Sequence, residues 1–418
     1  MYTFVGLMEI ESKFKISFSK VKPAVHAVKL SAAAELKVRK CHPWVFSEGI
    51  IKIKPSAKTG DLAVIFSQKD NKLIGIGLFD AISPIRIKLI YHGRESKQIN
   101  PQFFSQKVDL AYQKRKPLLE TATNSYRLIF GENDDFPSLI ADVYDSVLVI
   151  KLYSEIWLAF FKSITESLIQ VSNAQTVVVR LSRNLQNACT YPFKDGDIIY
   201  GELENETVEF VEHGIYFSAN VIKGHKTGYF LDHRENRRKV GQMSSGKTVL
   251  DVFSYAGGFS VHALANNAKE VTSIDISEHA LEIARQNGKR NAYSGKHLTI
   301  AGDAFKILNR LIDEDKTYDI VVIDPPSFAK RGSEIELAKK KYAQLARLGE
   351  KLTAKNGTLI LASCSSRILA EVFWEINVKA LNINKRKFEI IEKTRHDIDH
   401  PIGFQEGAYL KCGYYRLY

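Results

Sequence analysis

The chain has 418 residues, too many for one ordinary domain and enough for two or three that each bury a core. Its formal charge of +12 favours a polyanionic partner, because every lysine or arginine placed on a phosphate releases counterions. No apolar run reaches the roughly 18 residues of a membrane span. The early Glu9 and Glu11 do not suit a secretory leader, and the four cysteines (Cys41, Cys189, Cys364, Cys412) lack zinc or disulfide spacing, so the chain reads as cytoplasmic and without a structural metal.

Residues 1–22 show no clear period and read as an extension. Over 23–95, short β-rich runs at 62–66, 73–78 and 85–91 alternate with turn signals such as Lys58-Thr59-Gly60-Asp61, which predicts a small β-barrel or sandwich. Over 96–205 an α+β block is expected. It holds a helix over 100–120 on a 3.6-residue period, strands at 126–130, 138–141, 147–153 and 176–180, and a helix over 156–171. Basic clusters such as Lys114-Arg115-Lys116 and Arg237-Arg238-Lys239 read as solvated faces as readily as contacts.

From Thr248 short apolar strands alternate with amphipathic helices, which predicts a doubly wound, mostly parallel sheet within 206–418. Asp251-Val252-Phe253-Ser254-Tyr255-Ala256-Gly257-Gly258 is a strand, a turn with two glycines and a helix start, where backbone can approach a ligand. It is not the GxGxxG of a dinucleotide site, and the acidic residue ahead of the turn suits a ligand with a free ammonium. Asp275, followed by Ile276, ends the next strand, where a carboxylate can accept both hydroxyls of a ribose. Asp303 and Ala304 follow the third, placed to meet an adenine amine or, equally, to cap a helix.

These three acidic residues and Asp324-Pro325-Pro326 resemble the cofactor and substrate motifs of the class I S-adenosylmethionine-dependent methyltransferases, whose fold is Rossmann-like. Cys364, within Leu361-Ala362-Ser363-Cys364-Ser365-Ser366, then becomes informative. C5 of cytosine is a poor nucleophile until a thiolate adds at C6, whereas methylation of nitrogen needs no thiol. A small cysteine closing a core strand is the alternative.

The likeness extends upstream. Gly224 to Arg237, including Tyr229-Phe230-Leu231-Asp232-His233-Arg234-Glu235-Asn236, resembles the hairpin segment of the RlmI-type large-subunit rRNA cytosine-C5 methyltransferases. Tyr126 to Glu132 and Phe136 to Asp142 are similar to that family's middle domain, and Cys41-His42-Pro43-Trp44-Val45-Phe46 to its N-terminal PUA domain.

The resemblance implies S-adenosylmethionine as cofactor, large-subunit rRNA as partner, and Cys364 and Asp324 as the catalytic pair. It also implies cofactor contacts from Asp251, Phe253, Ser254, Gly257, Gly258, Asp275, Ile276, Asp303, Ala304, Asp324, His233 and Arg234. The family usually has Gln where this chain has His233. Guanine N2 or N7 methylation, with Cys364 a bystander, and a silent RNA-binding assembly factor are the competing readings, and a homodimer is left open.

Overall fold

The computed structural model describes residue 10, residues 12–18, residues 21–187 and residues 191–418. Cys189 and part of the 1–22 extension lie outside the described residues. The chain divides into two compact units. One comprises Met1–Val211, Ser218–Leu231 and Ile398–Phe404; the other comprises Glu212–Phe217, Asp232–Asp397 and Gln405–Tyr418.

The first unit carries two sheets. A six-stranded mixed sheet is built from Val25–Leu30, Trp44–Phe46, Ile50–Lys52, Leu62–Phe66, Leu73–Phe79 and Ile85–His92. Val25–Leu30 alternates exposed and buried positions, as a strand with one solvated face must. The second sheet has five strands, Ser125–Phe130, Leu139–Tyr144, Val147–Leu152, Thr176–Leu181 and Ile198–Tyr200. Leu62, Ile76, Leu78 and Ile90 of the first sheet join Phe104, Phe136 and Trp157 in one apolar core.

The expected helix over 156–171 is broken. A single 3-10 turn, Glu155–Trp157, precedes a helix that starts only at Phe161. Fully buried Trp157 donates its indole N–H to the Pro137 carbonyl at 2.8 Å, which pins the chain before it can coil.

The second unit is an α/β layer around a seven-stranded sheet of spatial order Lys296–Ala301, Glu270–Asp275, Thr248–Val252, Tyr318–Ile323, Thr353–Ser363, Lys411–Leu417 and Phe388–Thr394. The first five strands are parallel, and Lys411–Leu417 runs antiparallel between its neighbours. Central strands are buried on both faces, so Val, Leu and Ile dominate them with no polar-apolar alternation, interrupted by Asp251 and Asp319. The strand order reverses beside Thr248–Val252, the switch point where open α/β sheets bind ligands at their carboxyl edge.

One reading needs correction. Residues 224–237 are not a strand pair: turns lead to a 3-10 turn at Leu231–His233 and a helix over Arg234–Met243. The two-stranded hairpin lies just upstream, at Thr207–Glu212 and Ile215–Asn220. Among the described residues, no helix is long and apolar enough to cross a membrane.

Candidate active site

Asp251 sits near the end of its strand, 1% exposed. Its Oδ2 accepts hydrogen bonds from the Ser260 backbone N–H at 3.0 Å and the Ser260 hydroxyl at 2.6 Å, while Oδ1 is buried with no partner. Burial pushes this carboxyl up to about 7 against the Ser260 hydrogen bonds, and the charges of Asp324 and Asp275 push the same way. A carboxylate held so has an unmet need for a cation. The Ser254 hydroxyl, also buried, is likewise without a partner.

The turn between strand and helix is tightly drawn. Phe253 and Tyr255 have φ of 65° and 48°, and Gly257 has φ of 77°. A Cβ on Gly257 would lie 2.7 Å from the Ala284 Cβ, so glycine is required there for both conformation and space. Gly258 opens the helix Gly258–Ala265.

Asp275 accepts the Tyr255 N–H on one oxygen and the Ser277 N–H on the other, both at 2.9 Å, which fixes its carboxylate at the sheet edge. Next to it Ile276 is 77% exposed, an apolar side chain available to a flat ring. Asp303 caps the helix Ala304–Asp313 by accepting the Lys306 N–H at 3.0 Å. Its capping role is therefore realised, with the second carboxylate oxygen left for a ligand.

Asp324 leaves the end of Tyr318–Ile323, and Cys364 leaves the end of the adjacent Thr353–Ser363. Parallel pairing of these strands brings the two residues together. Cys364 Sγ is 3.8 Å from Asp324 Oδ1 and 3.6 Å from His233 Nε2, and His233 Nε2 is 3.3 Å from Asp324 Oδ1. All three donor atoms lie within 4.8 Å of one another. His233 is 3% exposed, whereas Cys364 is half-buried.

Lys411, not anticipated from the sequence, is buried near this cluster. Its ammonium donates to the carbonyls of Ser365 and Tyr409. Burial lowers it to about 8, and the charge of Cys364 opposes that shift. Arg234 does not point where the resemblance placed it. It is fully buried, its Nη1 3.0 Å from Asp397 Oδ2 and its Nε 4.0 Å from Glu212 Oε2. His396 is structural, accepting the Tyr409 and Leu410 N–H groups.

Residues 127–390 match the family model of the S-adenosylmethionine-dependent methyltransferases, and residues 28–91 match that of a PUA-like domain. The chain belongs to the S-adenosylmethionine-dependent methyltransferases. It is 38% identical to a ribosomal RNA large subunit methyltransferase of Deinococcus radiodurans over 93% of this chain and 97% of that one. It is 32% identical to ribosomal RNA large subunit methyltransferase I of Shewanella amazonensis over 92% and 97%. In fold it resembles a Streptococcus mutans structure described as a SAM-dependent methyltransferase, with a TM-score of 0.78 and 22% identity over 93% and 99% of the two chains. A structure described as a methyltransferase complexed with S-adenosylhomocysteine gives 0.77 and 23% over 94% and 100%.

The donor set fits this methyltransferase's cofactor. The orphaned Asp251 Oδ1 has the chemistry to meet an ammonium, the carboxylate of Asp275 to accept ribose hydroxyls, and exposed Ile276 with Asp303 to flank an adenine.

Proposed function

We propose that the protein methylates C5 of a cytosine in large-subunit ribosomal RNA by way of a covalent bond between Cys364 and C6. The observation that carries this reading is the thiol itself, half-buried beside Asp324 at the carboxyl edge of the sheet. Methylation of a guanine nitrogen has no use for a sulfur there.

The substrate class is supported by relatives named as ribosomal RNA large subunit methyltransferases, by a PUA-like domain and by the charge of +12. Such a substrate puts the work in the cytoplasm. The target base must be unpaired or flipped to reach Cys364.

S-adenosylmethionine supplies, when bound, an electrophilic methyl group. Asp251 and Asp275 would orient it, and the Gly257 turn would let the backbone come close. Cys364 adds to C6 as a thiolate and makes C5 nucleophilic. Asp324, kept extended by Pro325, meets the Watson–Crick edge of the base and protonates N3 during addition.

The test is nucleoside mass spectrometry of unmodified large-subunit rRNA treated with S-adenosylmethionine and either wild type or Cys364→Ala. We expect 5-methylcytosine from wild type alone. Methylguanosine made equally by both would refute the mechanism, and no product with binding retained would favour the assembly-factor reading.

A further inference from the structure

His233 lies in contact with the sulfur that the proposed reaction uses, and an imidazole beside a thiol suggests a base. The hydrogen bonds around the ring contradict that. The Asn236 side-chain oxygen accepts from the Thr394 hydroxyl at 2.7 Å and from the Tyr414 hydroxyl at 2.9 Å. The Asn236 amide nitrogen is thereby turned to His233 Nδ1, 3.1 Å away. An NH2 facing Nδ1 makes that nitrogen an acceptor, so the neutral ring carries its proton on Nε2. Nε2 is the atom that faces Asp324 and Cys364.

The charged ring leads to the same place. Burial and Arg237 disfavour protonation of His233, but Asp324 and Asp232 outweigh them and hold it above the ordinary imidazole range. An imidazolium also has a proton on Nε2, and it forms only if the Asn236 amide turns its oxygen to the Nδ1–H. In neither state can Nε2 accept the thiol proton. The Phe259 ring, edge-on to the imidazole with centroids 5.6 Å apart, packs against it and restrains its tilt.

We propose that His233 is a positioning residue that donates from Nε2 to Asp324 and to the Cys364 sulfur, and that the thiol proton passes to Asp324 and from there to the substrate base. This rests on Cys364 being the nucleophile. The S–H bond breaks as an O–H bond forms on Asp324 Oδ1, the carboxylate oxygen 3.8 Å from the sulfur. A sulfur lone pair then makes the S–C6 bond while ring π electrons move toward N3, which takes the proton from Asp324. After C5 has taken the methyl group its proton passes to water, and on elimination both transfers run backward, so Asp324 and Cys364 end as they began. The His233 N–H and the positive charge of the buried Lys411 ammonium favour the thiolate during this exchange.

Three measurements test it. In methylation assays at saturating substrate, His233→Leu should lower kcat roughly 100-fold. His233→Gln, whose amide can donate but cannot serve as a base, should restore the rate to within roughly fivefold of wild type. With both variants shown to bind S-adenosylhomocysteine, equal loss in His233→Gln and His233→Leu would overturn the proposal.

Nitrogen-15 NMR of histidine-labelled protein should show Nε2 of His233 protonated at neutral pH. An unprotonated Nε2 would overturn it too. Finally, the pH dependence of Cys364 alkylation by iodoacetamide, read by peptide mass spectrometry, should move upward in His233→Leu and stay near wild type in His233→Gln. The titratable neighbours Asp232, Arg237, Asp324 and Lys411 are unchanged in both. The NMR and alkylation readouts need no RNA. If wild type makes no 5-methylcytosine, the reading of the substrate fails while these two still decide the role of His233.

Discussion

Asp251 offers a sharp test of how the cofactor is held, because the same carboxylate should control affinity and stability in opposite directions. In the free protein burial pushes it up to about 7 from an ordinary 3.8. A ligand ammonium placed at its unpartnered Oδ1 requires the ionised form. Binding of S-adenosylhomocysteine should therefore weaken roughly tenfold per pH unit below 7, reaching about 30-fold at pH 5.5. Above about 8 the ligand's own α-amino group loses its proton, which closes the window.

Stability runs the other way. A group whose folded value is raised stabilises the fold fully below its unfolded value of 3.8 and loses that contribution as pH rises through about 7. At ~1.4 kcal/mol per tenfold, the loss is at most roughly 4 kcal/mol by pH 8. Asp251→Asn removes the charge with little change of shape, so its free form should gain on wild type as pH rises from 5 to 8, by roughly 2 to 3 kcal/mol. Its S-adenosylhomocysteine affinity should fall by ~2 kcal/mol, the worth of one charge-assisted hydrogen bond. Isothermal titration calorimetry and thermal melts from pH 5 to 8 check both. A wild-type affinity flat from pH 5.5 to 7.5, or an Asp251→Asn variant that binds as tightly, would refute the reasoning.

Glu212 is buried and meets Arg237 at 2.6 and 2.7 Å and His262 at 2.9 Å. Although burial pushes its carboxyl up, the charge of Arg237 and the hydrogen bonds from His262 and Arg237 hold it far below the usual range. Glu212→Gln strands a buried guanidinium, so urea unfolding at pH 7 should show a loss of about 3 to 5 kcal/mol. Because the folded value is depressed, that contribution is present above about 4.5 and fades as pH falls below it, so the gap between wild type and variant should narrow toward pH 3. Gly257→Ala must adopt φ near 77° and drive a methyl to 2.7 Å from the Ala284 Cβ. It should cost roughly 2 kcal/mol or more in the same assay and weaken S-adenosylhomocysteine binding with it, and unchanged values would count against the turn as drawn.

The parts of the site that sequence could reveal are those set by local rules. Asp251, Asp275 and Asp324 each end or follow an apolar parallel strand, and the carboxyl edge of such a sheet is where a ligand meets it. The helix Ala304–Asp313 that Asp303 caps is equally legible, since Ala304, Ile307, Leu308 and Leu311 fall on one face and are buried. The last strand was not legible. Lys411–Leu417 is buried at all positions but one, carries a glycine and a buried lysine, and so shows neither alternation nor a clean apolar run. Its place between two earlier strands is what brings Lys411 and Tyr414 to the site from some fifty residues beyond Cys364.

The motif around His233 misled for a different reason. Consecutive residues of a motif suggest one shared role, yet each step along a helix turns the side chain by about 100°. His233 therefore meets Asp324 and Cys364, whereas the next residue, Arg234, turns to Asp397 and Glu212. Asn236, three residues on, comes back beneath the imidazole and holds Nδ1. What looks like one contiguous signature is thus two devices on one helical start, one fixing a ring against a nucleophile and the other burying charge in the core.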